Sequence, residues 1–431
     1  MSGRIAFVTL GCAKNEVDSA HMQRRLRQAG YTIVSPEEPS DVVVINTCSF
    51  IQDAIEESLD AIFEIAGEYA VVSGETKLVV AGCLPARFGE DLETELTEPD
   101  RFLPCDDEEH IVEVVDELLS VSSPREALRL DDALVHDSPS AYVKISDGCD
   151  RFCSYCTIPY IRGRYRSFAQ SDIVAEVERL SGIGVREVVL IAQDSGIWGN
   201  DLVPPTSLDR LLRLLATTFP DLWFRVMYLQ PAGVTDQLLS VMEDFDNVCN
   251  YFDIPLQHCS ETLLKSMNRG GSRDEFLDMV ERIRLRLNDV ALRTTLIVGY
   301  PGETEDDFAD LCDFVTEAEF DYVGIFAYSP EEGTRAADMA DQIDPETKHD
   351  RLQELRDIAD TVSTRKIAER IGRRMDVLIE GTEEDGQLYG RAQCQAPEVD
   401  GVTYINGGSI GDVVPCLITD TLFYEMEGTC D

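Results

Sequence analysis

Cys149-Asp150-Arg151-Phe152-Cys153-Ser154-Tyr155-Cys156 is the stretch on which the reading of this 431-residue chain turns. Three cysteines at spacings of four and three are crowded onto one short loop. Cysteine thiolates are the usual ligands of a cubane 4Fe-4S cluster, which has four irons, so this loop can serve three and leaves one open. An open metal position marks a catalytic rather than a structural site. The alternative is a zinc knuckle, which needs a fourth ligand. No histidine adjoins the loop; the nearest are His136 and His258.

The loop follows an apolar run, AYVKIS (141–146), and further runs follow it at regular intervals. REVVLIAQD (186–194), LWFRVMYLQP (222–231), NYFDIPLQH (250–258), ALRTTLIVGYPGE (291–303) and DYVGIFAYS (321–329) read as strands. Between them Ile173, Val177 and Leu180, then Phe276, Val280, Ile283 and Leu287, then Phe308, Leu311 and Val315 recur at helical spacing. Alternating β and α implies a parallel sheet. Six units, rather than the eight of a closed barrel, predict a partial (β/α)6 barrel over 140–365. Functional groups on such a sheet sit at the carboxyl ends of strands. Those ends carry Gln193 and Asp194, Gln230, Gln257 and His258, Gly299 with Glu303, and Tyr328. Gly299–Thr304 lacks the Gly-Lys-Ser/Thr core of a phosphate loop and reads as a turn into a helix.

Residues 1–125 repeat one pattern three times. RIAFVTL (4–10) leads to Cys12, DVVVINT (41–47) to Cys48 and KLVVAG (77–82) to Cys83. A helix follows the first, with Asn15 as its predicted cap and Met22, Leu26 and Ala29 on its apolar face. Ile51, Ile55, Leu59 and Ile62 mark another. In an open doubly wound α/β domain, parallel strands end along one edge where ligands bind. Three thiols 36 and 35 residues apart would meet there, again one short of a full cubane set. A single cysteine is more often a small buried hydrophobe; three at equivalent positions argue for a site. Cys105, after RFLP (101–104), is left out, because Pro104 and the acids that follow differ from the other three settings.

Residues 122–140 are polar with flanking prolines and read as a linker. KHDRLQELRDIADTVSTRKIAERIGRR (348–374) predicts a long helix. Five short β-rich runs with glycines over 371–431 predict a small antiparallel barrel of the oligonucleotide-binding (OB) type. That segment has three arginines, no lysine and twelve acids. A phosphate-binding surface needs clustered Lys and Arg, so this one suits a basic protein instead.

The chain's net charge of −45 repels polyanions and steers cationic partners toward it. Six lysines beside thirty-one arginines suit equally a lineage-wide bias or a salty cytoplasm. No apolar run approaches the ~20 residues that span a bilayer, and the N-terminus has no signal-cleavage pattern. Both predict a cytoplasmic protein without a membrane partner. In a reducing compartment, thirteen cysteines read as metal or catalytic sites before disulfides. No GxGxxG fingerprint occurs.

The cysteine loop, with Tyr155 ahead of its last cysteine, resembles the signature of the radical S-adenosyl-L-methionine (SAM) enzymes. Cys12, Cys48 and Cys83 ahead of it resemble the methylthiotransferase family within them. The resemblance implies two 4Fe-4S clusters. Cys149, Cys153 and Cys156 would hold one, with SAM on its open iron; Cys12, Cys48 and Cys83 would hold the other, which delivers sulfur. It implies an external low-potential electron donor and a C-terminal TRAM domain. It places Tyr155, Gln193, Asp194, Gly299 and Tyr328 at SAM: Gln193 and Asp194 at its amino group, Leu296–Gly299 along the adenine, Tyr328 beside the nucleoside. IAQDSGIWG (191–199), YLQPAGVTDQLL (228–239), FAYSPEEGTRAADM (326–339) and GRAQCQAPEVDG (390–401) resemble one branch in particular. That branch methylthiolates the β-carbon of an aspartate in small-subunit ribosomal protein S12, a strongly basic protein. The expected partner is that protein or the small ribosomal subunit, with nucleic acid not dominant. The alternative is the branch that modifies a tRNA adenosine.

Overall fold

The structure is a computed structural model and describes residues 3–121 and 138–430. The expected linker falls almost entirely on residues 122–137, outside the described residues, and with it the boundary at 125.

The N-terminal sheet has five parallel strands: β1 (Arg4–Thr9), β2 (Thr32–Val34), β3 (Val42–Thr47), β4 (Lys77–Gly82) and β5 (Arg101–Pro104), in the order β2-β1-β3-β4-β5. Sequence alone shows three of them as strands. β2 and β5 are edge strands of three and four residues, too short for periodicity to register. Every residue of β3 is buried, because helices cover both faces. Met22 and Leu26 of the helix Ala13–Gln28 pack with Ile111 and Val115 on one face. Ile55 and Ile62 of the helix Gln52–Ala66 pack with Leu84 on the other.

Asn15 does not cap the first helix. Cys12 occupies that position, and Asn15 lies in the first turn. The Asn15 amide instead donates to the carbonyls of Leu10 (2.8 Å) and Thr47 (2.9 Å), tying the ends of β1 and β3 together. Buried polar groups take hydrogen bonds wherever tertiary structure offers them, and here a neighbouring strand end wins over the local cap.

The central region contains β6 (Ser140–Lys144), β7 (Ser146–Asp147), β8 (Arg166–Ser167), β9 (Glu187–Ile191), β10 (Trp223–Val226), β11 (Tyr251–Asp253), β12 (Ala291–Val298) and β13 (Tyr322–Ala327). β6, β9 and β10 form one parallel sheet and β11, β12 and β13 another. Phe224 bridges Val248 between them, so six strands run as one partial barrel. Val188 and Leu190 of β9 face the outer helices, while Val189 and Ile191 face inward. β7 and β8 pair as a two-residue ribbon on either side of the cysteine loop.

The helix Pro345–Ala368, capped by Asp344, leads to a closed barrel of β14 (Arg374–Thr382), β15 (Leu388–Ala392), β16 (Thr403–Ile405), β17 (Val413–Leu422) and β18 (Glu425–Cys430). The expected all-antiparallel barrel needs one correction: β16 and β18 pair in parallel. A ring of five strands cannot alternate direction all the way round, so closure forces one parallel pair. Cys416 and Cys430 are cross-strand partners joined by a disulfide, contrary to the reading of cysteines as metal or catalytic groups first. Val377, Ile379 and Ala396 of this barrel share one apolar core with Val189, Trp223 and Tyr322 of the central barrel. At that junction the fully buried Glu187 lies between Arg225 (2.8 Å) and Arg391.

Candidate functional site

The cysteine loop is held by its backbone. Gly148 enters it at a φ of 74°, and a Cβ there would stand 2.2 Å from the carbonyl oxygen of Arg164, so only glycine fits. Asn268 donates to the carbonyls of Arg151 (2.8 Å) and Phe152 (3.1 Å). The Ser154 N–H donates to the Met267 carbonyl (3.0 Å), and the Ser154 hydroxyl bonds the Tyr300 hydroxyl (2.7 Å). Every anchor of the loop is therefore backbone or a non-cysteine side chain, so none of the three thiols is needed to hold it. Arg269 donates to Cys153 Sγ (3.8 Å) while bonding the Gln230 amide oxygen (2.6 Å). Burial pushes the Cys156 thiol up to about 12 and raises that of Cys149, and the neighbouring cysteines push each further. Such thiols keep their protons at neutral pH unless a metal takes the thiolate. A sulfur-only set on one loop, with a guanidinium beside it, fits a cubane cluster.

The five residues expected around SAM lie in two groups. Asp194 is buried at the end of β9; one oxygen pairs with Arg151 (2.6 Å), and among the described residues the other has no hydrogen-bond partner within normal geometry. The Gln193 amide donates to Asp147 (3.2 Å), and its oxygen is likewise unpartnered. These two buried acceptors sit beside the cysteine loop, where an ammonium group could satisfy both. Tyr155, half-buried, lies near Arg269 and Cys153 on the same side. On the far side, the Tyr328 ring packs edge-on to Tyr300 (5.5 Å), which links it to Ser154. Gly299 lies beside it, and its N–H donates to the Glu303 carboxylate. That carboxylate is fixed in turn by Arg351 (3.0 Å) and His258 (3.4 Å). Pro301 and Gly302 do lead into a helix, Glu305–Ala318, closed by a Thr304–Asp307 capping box.

The second thiol set lies on the facing domain. Cys12 occupies the N-cap of one helix and Cys83 the first turn of another. The Cys48 backbone is clamped by the buried Ser58 hydroxyl, which accepts from its N–H (3.1 Å) and donates to its carbonyl (2.8 Å). Gly82, at a φ of 94°, would place a Cβ 2.2 Å from the Asn46 side-chain oxygen. It lets β4 turn so that Cys83 meets its neighbours. Among the described residues, no three Cys, His, Asp or Glu side chains are gathered as a ligand set for a single metal ion.

The two sets face each other across the domain junction. Thr157, next to Cys156, donates to the carbonyl of Phe50, two residues past Cys48 (3.3 Å). Arg162 reaches further: its guanidinium donates to Cys83 Sγ (3.6 Å), the Asn15 side-chain oxygen (2.7 Å) and Asp18 (2.9 Å). Lys144 of β6 pairs with the same Asp18 and with Asp147 (2.7 Å). Asp18, Lys144, Asp147 and Arg162 thus form a buried clamp between the domains. None was singled out from sequence; the only available signal was an arginine in IPYIRGRYR, indistinguishable from a surface residue. Lys14 was passed over as well. It is only 8% exposed, and its ammonium lies 3.4 Å from the centre of the Tyr228 ring at the barrel mouth. Tyr228 itself has a φ of 62°, uncommon for a non-glycine residue.

Comparison with known proteins accords with this architecture. Residues 4–103 match an uncharacterized protein family designated UPF0004, 143–315 the radical SAM superfamily, and 371–430 the TRAM domain. The chain is 41% identical to the ribosomal protein uS12 methylthiotransferase RimO of Trichlorobacter lovleyi, covering 98% of this chain and 97% of that one. It is also 41% identical to the RimO proteins of Geobacter sulfurreducens (99% and 98%) and Thermotoga maritima (99% and 99%). Among solved structures, it resembles the radical SAM methyltransferase TsrM from Kitasatospora setae, with cobalamin and a [4Fe-4S] cluster bound. That match has a TM-score of 0.55 at 14% identity over 78% of this chain and 77% of that one, a likeness of fold.

Proposed function

Because this chain belongs to the family of ribosomal protein uS12 methylthiotransferases within the radical SAM superfamily, we propose that it methylthiolates the β-carbon of an aspartate in the basic ribosomal protein uS12. The observation that carries the reading is the facing pair of three-thiol sets, joined by Arg162 and Thr157. Cys149, Cys153 and Cys156 would hold a 4Fe-4S cluster, and Cys12, Cys48 and Cys83 a second. When bound, the first cluster and SAM supply a 5′-deoxyadenosyl radical, which can take hydrogen from a C–H bond too weakly acidic for base chemistry. The electron comes from an external low-potential donor.

The chain's own residues orient and shield. Asp194 and Gln193 offer two unpartnered buried oxygens to the ammonium of SAM, and Arg151 holds Asp194 in place. Arg269 sets the side chain of Cys153. The clamp of Asp18, Lys144, Asp147 and Arg162 fixes the separation of the two cysteine edges. Lys14 projects over the barrel mouth beside Cys12, and among the described residues no carboxylate lies within ion-pair distance of it. The substrate is an aspartate, and Lys14, whose charged form burial disfavours until an anion meets it, is the residue positioned for that carboxylate. Lys14→Met is expected to lower kcat/KM on a uS12 peptide roughly 10- to 100-fold, the worth of one hydrogen bond to a charged group. Iron content should not change. Steady-state kinetics on aspartate and asparagine versions of the peptide check the assignment: the variant should lose the preference for aspartate, and a retained preference refutes the role.

The substrate itself is tested by mass spectrometry of uS12 and of tRNA nucleosides from cells with and without the gene. The methylthio group should vanish from uS12 alone; its loss from tRNA instead would replace this reading with the tRNA branch. The acidic C-terminal barrel favours the protein.

A further inference from the structure

The six-stranded barrel does not close, and β13 is its last strand, paired on one edge only. The Tyr328 N–H donates to the Val298 carbonyl (2.9 Å), and backbone groups alternate sides along a strand. Phe326 and Gly324 therefore turn their N–H and C=O groups to β12, while Val323, Ile325 and Ala327 turn theirs outward. Among the described residues, nothing takes those outward groups. Beside this free edge runs a groove of about 460 Å³. Val323 and Gly324 form one wall, and the C-terminal barrel forms the other through Glu398, Val399, Phe423 and Glu425. Phe423 stands in the turn between β17 and β18 at a φ of 53°, a costly conformation for a bulky residue, and is 64% exposed. Tyr424 beside it stacks on Tyr322 at the foot of β13 (6.1 Å between ring centres), which fixes the turn opposite the free edge. Arg293 forms the inner end of the groove. It pairs with Asp253 (3.2 Å), whose other oxygen accepts from the Tyr228 N–H (3.1 Å), and the Tyr228 ring lies under Lys14.

We propose that an extended segment of the basic substrate protein docks in this groove as an added strand on the free edge of β13. The inference rests on the reading of uS12 as the substrate. An exposed sheet edge binds an extended peptide through its main chain, and the walls beside it read alternate side chains. β13 runs from the groove toward Tyr328, so a strand laid along it is led to the barrel mouth, where Lys14 stands. Glycine inside a strand marks a place where another backbone can come close. A Cβ on Gly324 would meet nothing nearer than the Arg293 side chain at 3.4 Å, so no contact within the chain demands glycine there. The walls select the occupant. Glu398 and Glu425 carry unneutralised charge while Arg293 already has Asp253, so the groove attracts a basic segment. Exposed Leu422 and Phe423 offer apolar surface for it to bury. A nucleic acid strand would meet those carboxylates and has no amide edge to pair with β13.

The test uses the iron-loaded full-length chain and a fluorescein-labelled peptide carrying the target aspartate of uS12. Fluorescence anisotropy reads binding, and methylthiolation of the same peptide gives KM and kcat. Two further peptides are N-methylated on alternate backbone amides, one on each alternating set. Only every second amide of an added strand faces β13, so one set is expected to lower affinity about tenfold or more and the other to leave it nearly unchanged. This arm leaves the protein unaltered and is independent of any effect of substitution on folding. Leu422→Ser combined with Phe423→Ser is expected to weaken binding and raise KM about tenfold with kcat unchanged. Glu425→Lys should weaken binding and flatten its dependence on salt. Formation of 5′-deoxyadenosine without peptide should stay the same in every variant. Equal effects of the two N-methylated sets, or unchanged affinity in the double variant, overturn the proposal and leave uS12 as the substrate. A chain that modifies tRNA and no uS12 peptide overturns the functional reading, and this inference with it.

Discussion

Replacing Cys149, Cys153 and Cys156 together with alanine is expected to abolish cleavage of SAM to 5′-deoxyadenosine, a fall of roughly a millionfold or more, to background. The size follows from where the chemistry resides: the cofactor carries it, and the surrounding side chains only position. The fold should survive, because the loop is held by Gly148, Asn268, Ser154 and backbone hydrogen bonds rather than by the thiols. The matching replacement of Cys12, Cys48 and Cys83 should behave differently. It is expected to halve the iron of the reconstituted protein, keep 5′-deoxyadenosine formation and give no methylthiolated uS12. Iron and sulfide analysis with chromatography of both products checks the pair. Unchanged iron in the second variant would remove the second cluster, and retained SAM cleavage in the first would remove the catalytic one.

Glu187→Gln is expected to destabilise the protein by about 3 kcal/mol, the lower end of the cost of breaking a buried ion pair. Glu187 has no exposed surface; it accepts from Arg225 (2.8 Å), Ser140 (2.8 Å) and Arg391. A neutral amide would leave Arg225 buried without its anion, while Arg391 would keep Glu380 (2.6 Å), which is why the lower end applies. The cost should appear at the junction of the two barrels, since Arg225 also donates to the Gln393 carbonyl (2.8 Å). The pH dependence has a definite sign. Burial alone would raise the Glu187 carboxyl, but Arg391 and Arg225 override it and hold it down to about 2. A carboxyl depressed in the folded state stabilises fully above its unfolded value of about 4.3, and the gain is lost as pH falls from there through about 2. The gap between the two proteins, read from urea unfolding, should be full at pH 7 and narrow steadily below pH 4. A gap that does not change with pH would show that the charge on Glu187 is not its source.

Much of the architecture was legible in the chain because its signals are local. The six central strands are apolar runs with helical periodicity between them, and all six form. The edge strand β5 is too short for its periodicity to register, and on sequence Cys105 is considered and left out. Pro104 and the acids beyond it look unlike the other strand ends, yet parallel pairing with β4 carries Cys105 into line with Cys83. Asn15 shows the reverse error. Its position suits a cap, but the fold spends its amide on two neighbouring strand ends and its oxygen on Arg162.

Read alone, the order of residues determined the kind of chemistry. Three cysteines within eight residues make one site in almost any fold, because a loop that short cannot separate them. Three strand-end cysteines make another, because parallel strands of one sheet must end along one edge. Only tertiary structure decided how the two are used together. Arg162 lies 144 residues from Asp18 and 79 from Cys83, and no sequence pattern pairs them. They meet because two domains pack edge to edge, and burying those charges is tolerable only where each finds its opposite. The same packing turned Lys14 toward the barrel mouth.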